Sequence, residues 1–143
     1  ADFGLRHSAW NTLAPQSRMP NDLDARSANR IAVEVTSLDA HTFAQGLHPD
    51  FIKIDAENFE HAVIAGAREL IARDNPVFLI ETGSPSALDA MAELSRQGYQ
   101  PLVSDGPGTL RLWKGSLDQA NARYKDVLCA PQIRMQRFRK LSD

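Results

Sequence analysis

The chain has a single cysteine, Cys129, among its 143 residues. One thiol closes no internal disulfide and builds no thiolate metal cage. No apolar run approaches the ~18 residues that a membrane-spanning helix needs. Charge of one sign is also lacking. Sixteen Lys and Arg stand against eighteen Asp and Glu, a formal net charge of −2, and a dedicated nucleic-acid binder usually carries a basic excess. The eight glycines form neither G-x-G-x-x-G behind a strand nor a P-loop, so a nucleotide has no recognisable phosphate cradle here. The opening residues, Ala1-Asp2-Phe3-Gly4, lack an initiating Met and the basic and apolar regions of a secretory leader. A cytoplasmic location and a processed or excised start are the expectations.

What is present reads as one globular domain. Hydrophobic residues make up 43% and charged residues 24%, close to the globular average. A chain of this length can hide roughly two-thirds of its unfolded surface. Three segments are expected: an irregular stretch over 1–30, a patterned body over 31–130 and a basic tail over 131–143. Residues 1–30 carry Pro15, Pro20, Asn11 and Asn21 and keep no period, with Trp10 and Leu13 as apolar pins.

In the body, Ile31, Val33 and Val35 alternate with Ala32, Glu34 and Thr36, which predicts a half-buried strand. Ser37 caps a short helix running to about Gln45. Residues 50–55 predict a second strand, and 58–73 the best helix, ended by Asn75-Pro76. Val77-Phe78-Leu79-Ile80 is a wholly apolar strand. Ser84-Pro85 opens a helix marked by Leu88, Met91 and Leu94 and ended by Gly98. Strands Tyr99–Val103 and Leu110–Trp113 are joined by Asp105-Gly106-Pro107-Gly108, which predicts an antiparallel hairpin. Ser116 with Gln119 is a capping box for a last helix to about Tyr124. Alternating strands and helices predict an α/β fold with a mostly parallel sheet and the hairpin near one edge.

In a parallel sheet, ligands bind beyond the C-terminal strand ends. Two apolar strands end there in acids: one runs into Asp55-Ala56-Glu57-Asn58-Phe59-Glu60, the other into Glu81. Asp55 is the first candidate, because an acid closing a buried strand is desolvated unless something polar meets it. Glu57 and Glu60 either join the site or answer the dipole of the following helix. Lys53 either pairs with an acid such as Glu81 or sends its amine to water. His7, His41, His48 and His61 show no metal-ligand spacing, and His61 reads as an exposed helix residue. Ser84 and Ser86 read as capping residues rather than nucleophiles. Cys129 follows Val127-Leu128 and reads as a buried small hydrophobe. In the tail region, Arg123, Lys125, Arg134, Arg137, Arg139 and Lys140 face only Asp126 and Asp143, an excess of +4. That suits a solvated arm, an acidic partner surface or a phosphate ligand.

Val33-Glu34-Val35-Thr36-Ser37-Leu38-Asp39, then Asp50 to Glu60, then Val63-Ile64-Ala65-Gly66-Ala67, then Pro76 to Glu81 resemble, in order and spacing, the FkbM-type methyltransferases. The resemblance covers about residues 31–82 and extends more loosely to about 130. It implies a Rossmann-like sheet with a closing antiparallel strand, the cofactor S-adenosylmethionine, and methylation of a hydroxyl oxygen on a small molecule or sugar. It places Asp55 at the chemistry, Glu57 and Glu81 at the substrate, and Lys53, Asn58 and Glu60 in support. Asn58 stands where the family has Gly, and Asn tolerates the left-handed conformation better than most residues. The resemblance is to the C-terminal part of the family domain. The family's glycine-rich cofactor loop and ribose-binding acid have no counterpart in these residues. Two other readings remain open: a non-catalytic half-domain that pairs with another chain or with itself, and a Mg²⁺ enzyme using Asp55, Glu57 and Glu81.

Overall fold

The computed structural model describes residues 34–135, so Trp10, Leu13, His7, Ile31 to Val33 and the tail from residue 136 lie outside it. The elements in chain order are α1 (Leu38–Gln45), β1 (Phe51–Ile54), α2 (Glu60–Ala65), α3 (Arg68–Asp74), β2 (Val77–Glu81), α4 (Pro85–Arg96), β3 (Tyr99–Gly106), β4 (Thr109–Leu112), α5 (Leu117–Arg123) and β5 (Asp126–Pro131), followed by a 3₁₀ turn over Gln132–Arg134. The caps form where the side chains predict them. Ser37 accepts from Ala40 N at 3.1 Å, Ser84 from Ala87 N at 2.9 Å and Ser116 from Gln119 N at 3.3 Å. No helix among the described residues is long and apolar enough to cross a membrane.

The sheet has five strands in the order β1-β2-β5-β3-β4. This corrects the mostly parallel sheet. Only β1 and β2 pair in parallel, and the β2–β5, β5–β3 and β3–β4 pairs are antiparallel. The fold is therefore α/β with a mixed sheet. The cause is β5, which the sequence shows only as a short apolar run and which inserts between β2 and β3. The β3–β4 hairpin lies at an edge, as expected.

One face of the sheet carries the main core. Ile54, Phe78, Ile80, Tyr99, Val103, Val127 and Cys129 pack there against Ile64, Ala67, Ile71, Met91, Leu94 and Ala120 of the helices. Cys129 is buried, and burial pushes its thiol up to about 12. The other face holds a smaller cluster, Val77, Leu102, Leu128 and Ala130, with Leu79 and Met135 against it. Helices α1 to α5 contribute nothing to that cluster.

Two local expectations also change. Residues 34–37 are not strand, and Val35 is 75% exposed. The helix expected over 58–73 is two helices, because α1 intrudes at Gly66-Ala67. Asp39 N donates to Gly66 O at 2.9 Å, and the Asp39 carboxylate accepts from Leu70 N at 2.9 Å and Glu69 N at 3.2 Å. The N-terminus of α3 is thus capped by a residue of α1. A Cβ on Gly66 would stand 3.1 Å from Ser37 Cβ, so the close approach favours glycine there.

The edge opposite the strand-end acids is stapled by charge. Asp74 accepts from Arg73 Nη2 at 2.6 Å and from His48 Nδ1 at 2.9 Å. Arg73 also donates to Leu47 O at 2.8 Å. Arg134, which the sequence assigns to the tail, pairs with Asp50 at 2.5 Å and donates to Asp74 O at 2.9 Å. The Arg73 and His48 hydrogen bonds hold the Asp74 carboxyl down to about 2, below its ordinary 3.8. A carboxylate held low stabilises the fold above its unfolded pKa and loses that contribution as pH falls through the folded value. Asp74→Asn is therefore expected to lower the urea midpoint at neutral pH. It should also flatten the decline of stability between about 3.8 and 2, measured by urea titrations across that window.

Candidate active site

The acids at the C-terminal ends of β1 and β2 come together. The parallel register pairs Ile54 with Ile80, so the next residues, Asp55 and Glu81, are neighbours across the strands. Their carboxyl groups share a hydrogen bond that lowers the pKa of Asp55 and raises that of Glu81. Glu81 therefore takes a proton first and Asp55 stays the ionised member. Lys53 Nζ lies 2.9 Å from Asp55 Oδ2, with the two side chains 53% and 41% exposed. Lys53 thus resolves between the two expectations: its amine reaches water and pairs with Asp55, while Glu81 meets Lys125 at 3.9 Å. The Asp55 hydrogen bond raises the pKa of Lys53. Nor is Asp55 buried, because the strand end lies open to solvent.

The loop after Asp55 is a tight turn in which Phe59 N donates to Ala56 O at 3.0 Å. Its two central residues, Glu57 (φ 46°) and Asn58 (φ 75°), are both left-handed, as a type I′ turn requires. Asn58 thus holds the left-handed position it was expected to hold. Glu60 is buried at 3% exposure. Its carboxylate accepts from Ala56 N at 3.3 Å, Asn58 N at 3.2 Å and Ser84 Oγ at 3.0 Å. It does more than answer a helix dipole, since it ties the β1–α2 turn to the start of α4. Ser86 Oγ accepts from His61 N at 3.0 Å, and residue His61 is exposed.

The β5 insertion adds residues that the sequence reading missed. Asp126 stands opposite Glu81. Thr82 N donates to Lys125 O at 2.8 Å, Gly83 N to Asn121 Oδ1 at 2.9 Å and Asn121 Nδ2 to Ser84 O at 3.1 Å. The signal for this strand was present: Lys125-Asp126 bounds the apolar run Val127-Leu128-Cys129-Ala130.

Among the described residues, no group of three or more His, Cys, Asp or Glu is placed to hold a metal ion. Asp55, Glu57 and Glu81 are not brought together as such a group. The described glycines serve caps, turns and close contacts. Gly46 ends α1, Gly66 faces Ser37 and Gly106 and Gly108 bound the hairpin turn. Gly83 (φ 100°) lies in the loop that leaves β2 for α4, without a glycine-rich phosphate-binding pattern around it. The described residues thus place a carboxylate at a parallel strand end and show no glycine-rich phosphate cradle.

The described residues form an α/β domain with two acids at the C-terminal ends of adjacent parallel strands, the edge at which such sheets commonly take ligands. The methyltransferase FkbM domain matches residues 3–101, more than two-thirds of the chain, so the protein belongs to the FkbM methyltransferase family. The match takes in most of the segment read as irregular and stops inside β3. No curated protein and no solved structure matches the chain.

Removing the buried Glu60 carboxylate leaves the part-buried Ala56 and Asn58 N–H groups and the Ser84 hydroxyl without their acceptor, at about 1–3 kcal/mol. Glu60→Ala is expected to lower the unfolding free energy by that amount in urea titrations. Asp55→Asn, at an open site, is expected to stay within about 0.5 kcal/mol of the parent.

Proposed function

We propose that this chain works as an S-adenosylmethionine-dependent methyltransferase on a hydroxyl group of a small molecule or sugar, in a cytoplasmic setting. Asp55 is the residue at the acceptor oxygen. The observation that carries this reading is the Asp55–Glu81 pair, in which one carboxylate is kept ionised, anchored by Lys53 and open to the crevice. Such a carboxylate accepts the proton of the acceptor hydroxyl as the oxygen becomes a nucleophile. Glu81, the member that protonates first, and Glu57, in the turn between Asp55 and Glu60, position the acceptor. Lys53, Asn58 and Glu60 hold these groups in place. The family's methyl donor has no glycine-rich cradle among the described residues. In the full-length protein, Asp55→Asn is expected to cut methyl transfer by about 10²-fold while leaving the urea midpoint in place. Unchanged turnover overturns the assignment.

A second reading, a half-domain that associates with itself or with another chain, is favoured by the sheet face that α1 to α5 leave without cover. Phe51, on the edge strand of the described sheet, is 54% exposed. Open strand edges and apolar surface drive association. Light scattering is expected to give a mass above that of the monomer at high concentration, and a stable monomer counts against this reading.

A further inference from the structure

The loop that carries the chain from Glu81 to α4 is gripped from two sides. On one side stands Asn121 of α5. Its Oδ1 accepts from Gly83 N at 2.9 Å and its Nδ2 donates to Ser84 O at 3.1 Å, so one side-chain amide holds both ends of the Gly83-Ser84 dipeptide. On the other side stands Glu60, whose Oε2 accepts from Ser84 Oγ at 3.0 Å while its Oε1 holds Ala56 N and Asn58 N. The residue after Glu81 is fixed as well: Thr82 N donates to Lys125 O at 2.8 Å, and Thr82 Oγ1 donates to Tyr124 O. The two loops that leave the acid-bearing strand ends are thus joined at Ser84, and α5 supports the joint.

That support is itself fixed at both ends. The Ser116–Gln119 capping box starts α5. Tyr124, just past its end, donates from Oη to Asp105 Oδ1 at 3.0 Å and accepts from Arg111 Nη2 at 2.9 Å. Arg111 pairs in turn with Asp105, and the Trp113 ring meets Tyr124 edge-on at 5.5 Å. Between these ends, Ala120 is buried in the main core. Asparagine is a weak helix former, and Asn121 turns both its carbonyl and its amino group to the loop instead. It does so from behind. Side chains alternate along a strand, so Glu81 shares the face of Leu79, which packs on the smaller cluster, whereas α5 packs on the main core. Lys53 stands opposite Leu79, and Asp55 follows it on the same face. The face toward which the acids point therefore stays clear of the clamp.

We propose that Asn121 is a positioning residue for the reaction: by clamping Gly83 and Ser84 it keeps the Glu81 carboxyl against that of Asp55, and through Ser84 and Glu60 it holds the β1–α2 turn in step. This inference rests on the reading of Asp55 and Glu81 given above. The ion pair of Glu81 with Lys125 spans 3.9 Å, and that lysine is 82% exposed, so it is a loose tether. The backbone on either side of Glu81 then decides where its carboxyl lies. The hydrogen bond between the two acids parts their pKa values, Asp55 down and Glu81 up. The other charged groups around the pair are Lys53 on β1, Lys125 and Asp126 at the head of β5, and Glu57 and Glu60 at the turn into α2. A clamp on Gly83 and Ser84 acts on the pair without altering any of them.

The test follows the two carboxyl groups in the full-length protein by carbon NMR across a pH titration, with no acceptor or methyl donor added. Asn121→Leu keeps the size of the side chain and favours the helix but cuts both hydrogen bonds. Hydrogen exchange at Gly83 N is expected to speed up by about fivefold or more, the factor that a hydrogen bond of ordinary net strength represents. The titration midpoints of Asp55 and Glu81 are expected to move toward each other, Asp55 up and Glu81 down. Asn121→Gln, which keeps the amide on a longer stem, is expected to restore part of the gap. If Asn121→Leu does not fold, Asn121→Ala cuts the same two hydrogen bonds and carries the same expectation. Midpoints that stay at their parent values while Gly83 exchange quickens make Asn121 a structural clamp only and overturn the proposal, as does unchanged exchange at Gly83. The reading of Asp55 fails separately: Asp55→Asn that retains turnover faults that assignment, and the titrations of the Asn121 variants still report on the clamp.

Discussion

The insertion of β5 between β2 and β3 is the constraint on which the crevice depends. Its residues Val127 to Pro131 are all buried, so the strand sits where both neighbours supply backbone partners and the helices supply cover. By running antiparallel to β2 and β3 it keeps those two strands pointing the same way. That brings the ends of β1, β2 and β3 to one edge. It also delivers Asp126 to Glu81, Lys125 to Thr82 and Tyr124 to Asp105. Without it, the hairpin and the acid pair would have no fixed relation.

Two acids five residues apart in one segment take opposite roles because their surroundings differ. Glu60 is buried and bonded to two backbone N–H groups and a hydroxyl, which offsets the cost of hiding a carboxylate. Asp55 ends a strand, stays in contact with water and shares its charge with Lys53 and Glu81. The buried acid shapes the turn that presents the open one. Strain concentrates in the same turn, where Glu57 and Asn58 are both left-handed. Backbone in such regions persists when its surroundings over-determine it, and the Glu60 hydrogen bonds supply that determination.

Much of this was legible in residues 34–135. The strands of β1, β2 and the hairpin, the caps at Ser37, Ser84 and Ser116, and the placement of Asp55 and Glu81 at one edge follow from local pattern. Apolar period, capping hydroxyls and turn residues act over a few positions, and the motifs that resemble the FkbM family lie in that stretch. The burial of Cys129 was legible for the same reason.

The misses share one cause: they rest on contacts between residues far apart in the chain. Strand direction at β5 is decided by pairing with β2, more than forty residues earlier, and a run of four apolar residues does not encode its partner. The break at Gly66 is imposed by Asp39, whose carboxylate caps α3 from α1. The partner of Lys53 depended on rotamers and reach, so Asp55 rather than Glu81 met it. The Arg111, Tyr124 and Asp105 cluster joins a hairpin to the end of a helix, and no spacing in the chain announces it. The sequence by itself determined which residues are apolar, which cap and which carry charge at strand ends, because those properties belong to short segments. Only the tertiary structure decided which charges meet, since that is set by the packing of distant segments and the register of the sheet.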